Sequence, residues 1–284
     1  KIDRILNDNI FEGINIHYFG GEPLLNIPVL IYLDENIKKI TDKIGIVYKA
    51  FLTTNGSMLS KELLQKVKFS SIQLTFDGLE KTHDRLRVSD HFHFKEEIEL
   101  IENIMNFSQA KVLLRTNICK ENKDEIIALH KYIFEKFGNE RIEINPNRTI
   151  KYHQDDSFEM LSVQEYAEVA YQIKLLWSEQ KGKFELPVPR STPCKFPYGN
   201  AYAISPEGYC TFCSGSMDQE KKYFFDVDIE NKKMFSVRKE CKKCNILPLC
   251  LGGCIIQYNL RAGACTYEKY ELKNILISYI KHIS

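Results

Sequence analysis

The chain has 284 residues, of which 44% are hydrophobic and 27% are charged, as is usual for a globular protein. A net charge of +1 predicts no general attraction to nucleic acid or to acidic membranes. No apolar run reaches membrane-spanning length and no secretory leader is visible, so we expect a cytoplasmic protein without a membrane anchor.

The first residues, "KIDRILNDN", begin without an initiator methionine. They resemble the end of a structural element whose beginning would lie upstream. We therefore expect that an upstream part of the protein is missing from this sequence.

Up to about residue 180 the sequence alternates strand-like with helix-like segments. The predicted strands are Ile14–Phe19, Ile46–Thr53, Ser71–Phe76, Lys111–Ile118 and Arg141–Ile144. The predicted helices are Pro28–Lys43, Ser60–Val67, Phe94–Phe107, Lys123–Phe137 and Val163–Gln180, the last opening with a capping box of Ser162 and Glu165. Such alternation predicts an α/β fold with a parallel sheet.

Three glycine-bearing turns follow predicted strands. They are "GGEP" at 20–23, "TTNG" at 53–56 and "TFDG" at 75–78. Because the carboxyl ends of parallel strands meet at one edge, where α/β proteins bind their ligands, these turns outline a candidate site. The alternative is that each is an ordinary strand-to-helix turn.

The last third of the chain differs in composition. Residues 181–193, "KGKFELPVPRSTP", carry three prolines and predict a linker. Eight of the nine cysteines follow it. We therefore predict two domains, 1–185 and 186–284.

The spacing of the late cysteines indicates metal rather than a disulfide framework, because the count is odd and no leader is visible. Cys241-x2-Cys244-x5-Cys250-x3-Cys254 is the densest stretch, with Cys265 after it. Zinc takes four thiolates in a closed tetrahedral site. Iron–sulfur clusters take four at wider and less regular spacing. Spacing favours iron–sulfur without deciding between them.

Together these motifs resemble the radical S-adenosylmethionine (SAM) enzymes that carry a C-terminal SPASM domain. The resemblance rests on "GGEPLL", "TTNG", "LTFDG" with "HDRLR", and the pattern C-x13-G-x4-C … C-x2-C-x5-C-x3-C … C. It implies a partial (β/α)6 barrel, here without its first strand, followed by a small cysteine-rich domain that holds two auxiliary [4Fe–4S] clusters.

The resemblance also implies which cysteines bind the two clusters. The second auxiliary cluster would use Cys241, Cys244, Cys250 and Cys265. The first would use Cys194, Cys213 and Cys254, with Cys210 as a possible fourth ligand or an iron left open for substrate. The ninth cysteine, Cys119, is expected to be an inert buried thiol.

By the same resemblance, a second set of residues would bind SAM. Gly20, Gly21 and Glu22 would contact the amino group of its methionine, and Arg115 its carboxylate. Thr75 stands where a serine is frequent, and Asn55 is a further candidate on the rim. Asp77 and Asp84 are interpreted as turn or cap residues, and His83 as structural.

One departure from the family is serious. No cysteine precedes Cys119, so the cluster-binding motif C-x3-C-x2-C is absent, and a further cluster is expected from the missing upstream part. The family implies that a 5′-deoxyadenosyl radical, formed in the complete enzyme, abstracts hydrogen from a substrate carbon. The fragment alone is expected to be inactive.

We expect the substrate to be a peptide or protein and the electron donor to be a flavodoxin or ferredoxin. The favoured activity is maturation of a ribosomally made peptide, for example by a thioether crosslink. Sulfatase maturases of the family usually have an aspartate directly after the cysteine that corresponds to Cys213, whereas this chain has Ser214, which weakens that alternative. A non-catalytic metal-binding peptide scaffold is the other alternative.

Overall fold

The computed structural model describes residues 11–138, 140–151, 158–191, 201–208, 210–211, 238–254 and 265–283. The chain forms two compact units, 1–149 and 150–284. The second unit therefore contains the helix that begins after residue 162 as well as the late cysteines. The domain boundary after residue 185 was drawn from composition and stays a prediction.

The first unit alternates strands with helices. Its strands are β1 (Gly13–Tyr18), β2 (Val47–Thr53), β3 (Phe69–Thr75), β4 (Lys111–Ile118) and β5 (Ile142–Arg148). Its helices are α1 (Ile27–Ile44), α2 (Lys61–Lys66), α3 (Glu80–Leu86), α4 (Phe94–Phe107) and α5 (Ile126–Phe137), with a 3₁₀ turn at Pro23–Asn26.

Two elements differ from the prediction, and the first difference has a physical cause. Strand β5 continues past the predicted end through Pro146 to Arg148, pairing Pro146 with Thr116. Among the described strands β5 has a neighbour on one side only, and an edge strand tolerates a proline because its other side needs no donor. The second difference is α3, which the sequence analysis did not assign.

The five strands are parallel and ordered β1-β2-β3-β4-β5. Right-handed crossovers in this order place the helices on one face. In β4, Val112 and Leu114 are fully buried, whereas Leu113 and Arg115, which alternate with them, are half-buried. The first pair faces the helices. We call the other side, with Arg115, the open face; the predicted α/β partial barrel is confirmed.

The second unit has less regular structure in its described residues. Its elements are α6 (Val163–Lys181), β6 (Ala203–Ile204), β7 (Cys210–Thr211), a 3₁₀ turn (Cys241–Lys243), α7 (Leu247–Cys250) and α8 (Glu268–Ile283). Helix α6 begins with the predicted capping box of Ser162 and Glu165. It packs against α8, where Lys174 Nζ lies 2.6 Å from Glu271 Oε1. No helix in the described part of the chain is both long and apolar enough to cross a membrane.

Candidate functional site

The carboxylate of Glu22 joins the turns after β1 and β2. Its Oε1 accepts hydrogen bonds from the Leu24 backbone N–H at 3.0 Å and the Thr54 hydroxyl at 2.6 Å. Its Oε2 accepts from the Asn55 backbone N–H at 2.7 Å. Three donors therefore fix the "GGEP" turn to the "TTNG" turn at the carboxyl edge of the sheet. A carboxylate has about four lone-pair sites, so Glu22 retains capacity for an ammonium donor.

The "TTNG" turn is shaped by its own side chains and by a glycine. Thr54 is buried, and its hydroxyl accepts from the Gly56 N–H at 3.0 Å while donating to Glu22. Asn55 accepts from the Ser57 N–H, also at 3.0 Å. Gly56 has φ +85°, and a Cβ there would lie 2.6 Å from a methyl group of Leu100. Sequence analysis missed Thr54, although its place between Thr53 and Asn55 on the rim was a usable signal.

Thr75 and Arg115 are brought together on adjacent strands. They are register partners on β3 and β4, and the Phe76 N–H donates to the Arg115 carbonyl at 2.9 Å. With Gly20, Gly21, Glu22 and Asn55, they lie at the carboxyl edge of one parallel sheet. All six predicted SAM-binding residues thus share that edge. Their roles stay predictions.

Polar residues behind the "TFDG" turn form a buried group that sequence analysis only partly recognised. His83 Nε2 lies 3.2 Å from Glu97 Oε2, and both side chains are almost fully buried. Burial lowers the pKa of His83 to about 4, with a smaller contribution from the Arg87 guanidinium, and burial raises the pKa of Glu97. Burial favours the neutral form of both side chains, in keeping with the structural role predicted for His83. Asp84 caps α4 by accepting from the Phe94 N–H at 2.8 Å.

Four of the predicted metal-binding cysteines line one pocket in the second unit. They are Cys241, Cys244, Cys250 and Cys265, and Arg238 and Lys269 line the same pocket. Short backbone turns bring the first three together: the Cys244 N–H donates to the Cys241 carbonyl at 3.0 Å, and that of Leu247 to the Cys244 carbonyl at 3.1 Å.

The backbone after α7 then reverses. Leu251 and Gly252 both have positive φ, 47° and 85°, and the Gly253 N–H donates to the Cys250 carbonyl at 2.8 Å. At the other end of the pocket, Lys269 Nζ lies 3.9 Å from Cys265 Sγ. The thiols thus face one cavity beside two cations, which suits an anionic thiolate-bound group.

The spacing of these thiols bears on the choice between zinc and a cluster. Among the described residues, no three His, Cys, Asp or Glu side chains are close enough to hold one metal ion. A zinc ion needs its ligands about 2.3 Å from a single point. A [4Fe–4S] cluster binds each thiolate through a different iron and so needs them further apart. Four thiols around one pocket match the ligand number of either group, and the iron–sulfur cluster stays a prediction.

The remaining cysteines are placed as follows. Cys119 is buried, and its sulfur lies 3.6 Å from Asn122 Oδ1, which confirms that it is buried. Cys254 is half-buried and is not among the residues that line the four-cysteine pocket. Cys210 falls in β7. Cys194 and Cys213 lie outside the described residues, so the first auxiliary cluster stays a prediction.

Comparison with known proteins defines the fold. Neither a protein-family model nor a curated protein sequence matches the chain. Solved structures do match. One is anSMEcpe, a radical SAM/SPASM enzyme, with bound AdoMet, at TM-score 0.69 and 16% identity over 100% of this chain and 89% of that chain. Its complex with AdoMet and the Kp18Cys peptide matches at TM-score 0.68 and 17% identity, over 99% and 87%.

A second protein matches less extensively. Streptococcus suis SuiB bound to S-adenosylmethionine has TM-score 0.60 and 16% identity, over 90% of this chain and 65% of that chain.

The chain has the radical SAM/SPASM fold. The resemblance drawn from "GGEP", "TTNG", "TFDG" and the cysteine spacing is thereby confirmed at the level of fold. The rim around Glu22 lies in the first compact unit, and the four-cysteine pocket lies in the second.

Proposed function

We propose that this chain is part of a radical SAM/SPASM enzyme that modifies a ribosomally made peptide. The observation that carries the proposal is the pocket lined by four cysteines, in a chain with the fold of AdoMet-bound structures.

The rim residues would hold SAM by its amino-acid end. Glu22 supplies anionic oxygens for an ammonium, and Arg115 a guanidinium for a carboxylate, which are strong pairings away from bulk water. Thr75 adds a hydroxyl on the strand between them. Cys241, Cys244, Cys250 and Cys265 would hold one auxiliary [4Fe–4S] cluster. When bound, SAM and a reduced cluster supply one-electron chemistry that removes hydrogen from carbon.

The chain's own contribution is orientation. Glu22 is fixed by three donors before any ligand arrives, so little ordering remains to be done on binding. The helix-facing side of the sheet is apolar and buried, which leaves ligands only the open face and the carboxyl rim.

A peptide substrate is supported by the similarity to anSMEcpe with bound Kp18Cys peptide. SuiB, a radical SAM/SPASM protein of the ribosomal-peptide class, is similar as well. A second candidate, oxidation of a sulfatase cysteine to formylglycine, is favoured by the similarity to anSMEcpe, an anaerobic sulfatase-maturating enzyme, over the whole chain. Ser214, in place of the aspartate usual there, argues against it.

The test uses the complete gene product, reconstituted anaerobically with iron and sulfide and reduced in the presence of SAM. We expect formation of 5′-deoxyadenosine, and loss of that product in a Glu22→Gln variant. Absence of 5′-deoxyadenosine from the wild-type protein would remove the enzyme proposal.

A cysteine-containing peptide then separates the two candidates by mass. A thioether crosslink removes a pair of hydrogens and retains the sulfur. Conversion to formylglycine loses the sulfur and gains oxygen. The first result supports peptide maturation, and the second supports sulfatase maturation instead.

A further inference from the structure

A buried polar network fixes the carboxyl end of β4 against that of β3. Asp77, directly after β3, is only 8% exposed. Its Oδ1 accepts from the Asn117 backbone N–H at 3.1 Å, and its Oδ2 from Arg87 Nε at 2.9 Å. Asn122 Nδ2 donates to the backbone carbonyls of Asp77 and Asn117, each at 2.8 Å. The peptide groups of Asn117 are therefore held on both the N–H and the C=O side.

The side chain of Asn117 faces the same way as Arg115. The two residues are two positions apart on β4, both half-buried on the open face. Asn117 Oδ1 accepts from Arg115 Nε at 2.9 Å. Since the guanidinium is planar, a bond at Nε constrains the direction in which its two terminal nitrogens point.

We infer that Asn117 is a positioning residue for Arg115, and that Asp77 and Asn122 hold Asn117 for this task. The inference rests on the proposed function, in which Arg115 binds the carboxylate of SAM. An arginine side chain loses rotamer freedom when it binds a ligand. A partner that already selects its rotamer lowers that cost and tightens binding. Asp77 is thus more than the turn residue that sequence analysis took it for.

The experiment compares two ligands that share the adenosine thioether. S-adenosylhomocysteine carries the amino-acid end, whereas 5′-methylthioadenosine lacks it. Calorimetry under anaerobic conditions gives the affinity ratio of the two for the wild-type protein and for Arg115→Met, Asn117→Leu and Asn147→Leu. Asn147 is a matched control, because it is the register partner of Asn117 on β5 and is also half-buried.

We expect Arg115→Met to reduce S-adenosylhomocysteine affinity about tenfold or more, as for loss of a charged pair. Asn117→Leu should reduce it about threefold to tenfold, with 5′-methylthioadenosine unaffected in both. Asn147→Leu should leave the ratio unchanged. A merely structural defect would lower both affinities together, so the ratio reports positioning.

Three other results would overturn the inference in distinguishable ways. If Arg115→Met collapses the ratio and Asn117→Leu preserves it, Asn117 does not position Arg115, and the proposed function stands. If Arg115→Met itself preserves the ratio, the assignment of Arg115 to the carboxylate is wrong. If the wild-type protein binds neither ligand, the proposed function fails.

Discussion

The rim around Glu22 and the four-cysteine pocket are built by different physical means. The rim lies at the end of a parallel sheet whose central side chains, such as Ile72 and Leu74, are fully buried. Its turns are joined by side-chain hydrogen bonds of 2.6 to 3.0 Å around one carboxylate. An extensive core thus sets the geometry of the rim without help from a ligand.

The four-cysteine pocket has far less apolar support. Within residues 238–254, helical structure consists of one 3₁₀ turn and the four-residue α7. The buried apolar side chains there are Cys241, Ile246 and Cys250, each still 8% exposed. A segment with so small a core depends on a bound group for stability. The contrast predicts that folding alone preorganises the rim, whereas the four-cysteine pocket depends on a bound group.

The largest effect should come from removing the metal. Chelation under anaerobic conditions should abolish hydrogen-exchange protection of backbone amides in residues 238–254, because few other contacts hold that segment. Amides of β3 and β4 should keep their protection. Hydrogen exchange with mass spectrometry on reconstituted and metal-free protein measures both regions in one sample. Equal loss of protection in the sheet would break the comparison.

The second largest effect should come from removing the negative charge of Glu22 at the rim. In Glu22→Gln, the ammonium of SAM loses its carboxylate partner. The glutamine amide has only one oxygen, so it cannot accept hydrogen bonds from all three groups that now donate to Glu22. We expect affinity for SAM to fall roughly tenfold to a hundredfold, from the value of a charged hydrogen bond. Calorimetry measures it, and Glu12→Gln, just before β1, is the control. A Glu22→Gln protein that binds as wild type would show that the rim is not the SAM site.

The free energy of unfolding of the sheet unit should depend on pH through His130. This side chain is completely buried, with Nε2 3.2 Å from the Thr116 hydroxyl, and burial lowers its pKa to about 3 from the ordinary 6.5. Only the unfolded state takes up a proton as pH falls below 6.5. Stability is therefore full above that pH and decreases towards pH 3.

Between about pH 7 and pH 5 the loss should be about 2 kcal/mol. Urea unfolding followed by circular dichroism at the two pH values measures it. His130→Leu should remove about 2 kcal/mol of this dependence, and the part due to His83, whose pKa is also lowered by burial, should remain. An unchanged pH dependence in that variant would show that His130 does not cause it.

The smallest effect concerns the hydroxyl that joins the two turns. Thr54→Val leaves the buried Gly56 N–H without its acceptor and should cost about 1 to 2 kcal/mol of unfolding free energy. Thr53→Val loses a hydroxyl bonded to the exposed His17 and should cost about 0.5 kcal/mol or less. Chemical denaturation of both variants gives the difference. Equal costs would mean that the rim is not as preorganised as the contacts suggest.

The sequence predicts the elements of the sheet better than it predicts the contacts between them. Period and turn residues located the five strands, because a parallel sheet with one buried face imposes strong local patterns. The resemblance to the radical SAM/SPASM family supplied Arg115, which lies within β4, whereas the "GGEP" turn after a strand drew attention to Glu22; the roles of both stay predictions. Strand β5 was cut short at Ile144 because a proline usually ends a strand, and only knowledge that β5 lies at an edge corrects this.

The contacts within the rim were beyond sequence analysis. Nothing local shows that Glu22 bonds to the hydroxyl of Thr54, 32 positions away, or that Asp77 holds the backbone of Asn117 across 40 positions. These are products of strand register. One signal was available: Asn117 lies two residues after Arg115 on a strand, so the two side chains must share a face.

The most direct test of the central claim is anaerobic iron and sulfide analysis of the reconstituted chain. Two auxiliary clusters predict about eight irons per chain with matching sulfide. Cys250→Ser, in the four-cysteine pocket, should lower the content to about four, and the buried Cys119→Ser should leave it unchanged. About two zinc ions per chain and no sulfide would contradict the account and favour a non-catalytic metal-binding scaffold.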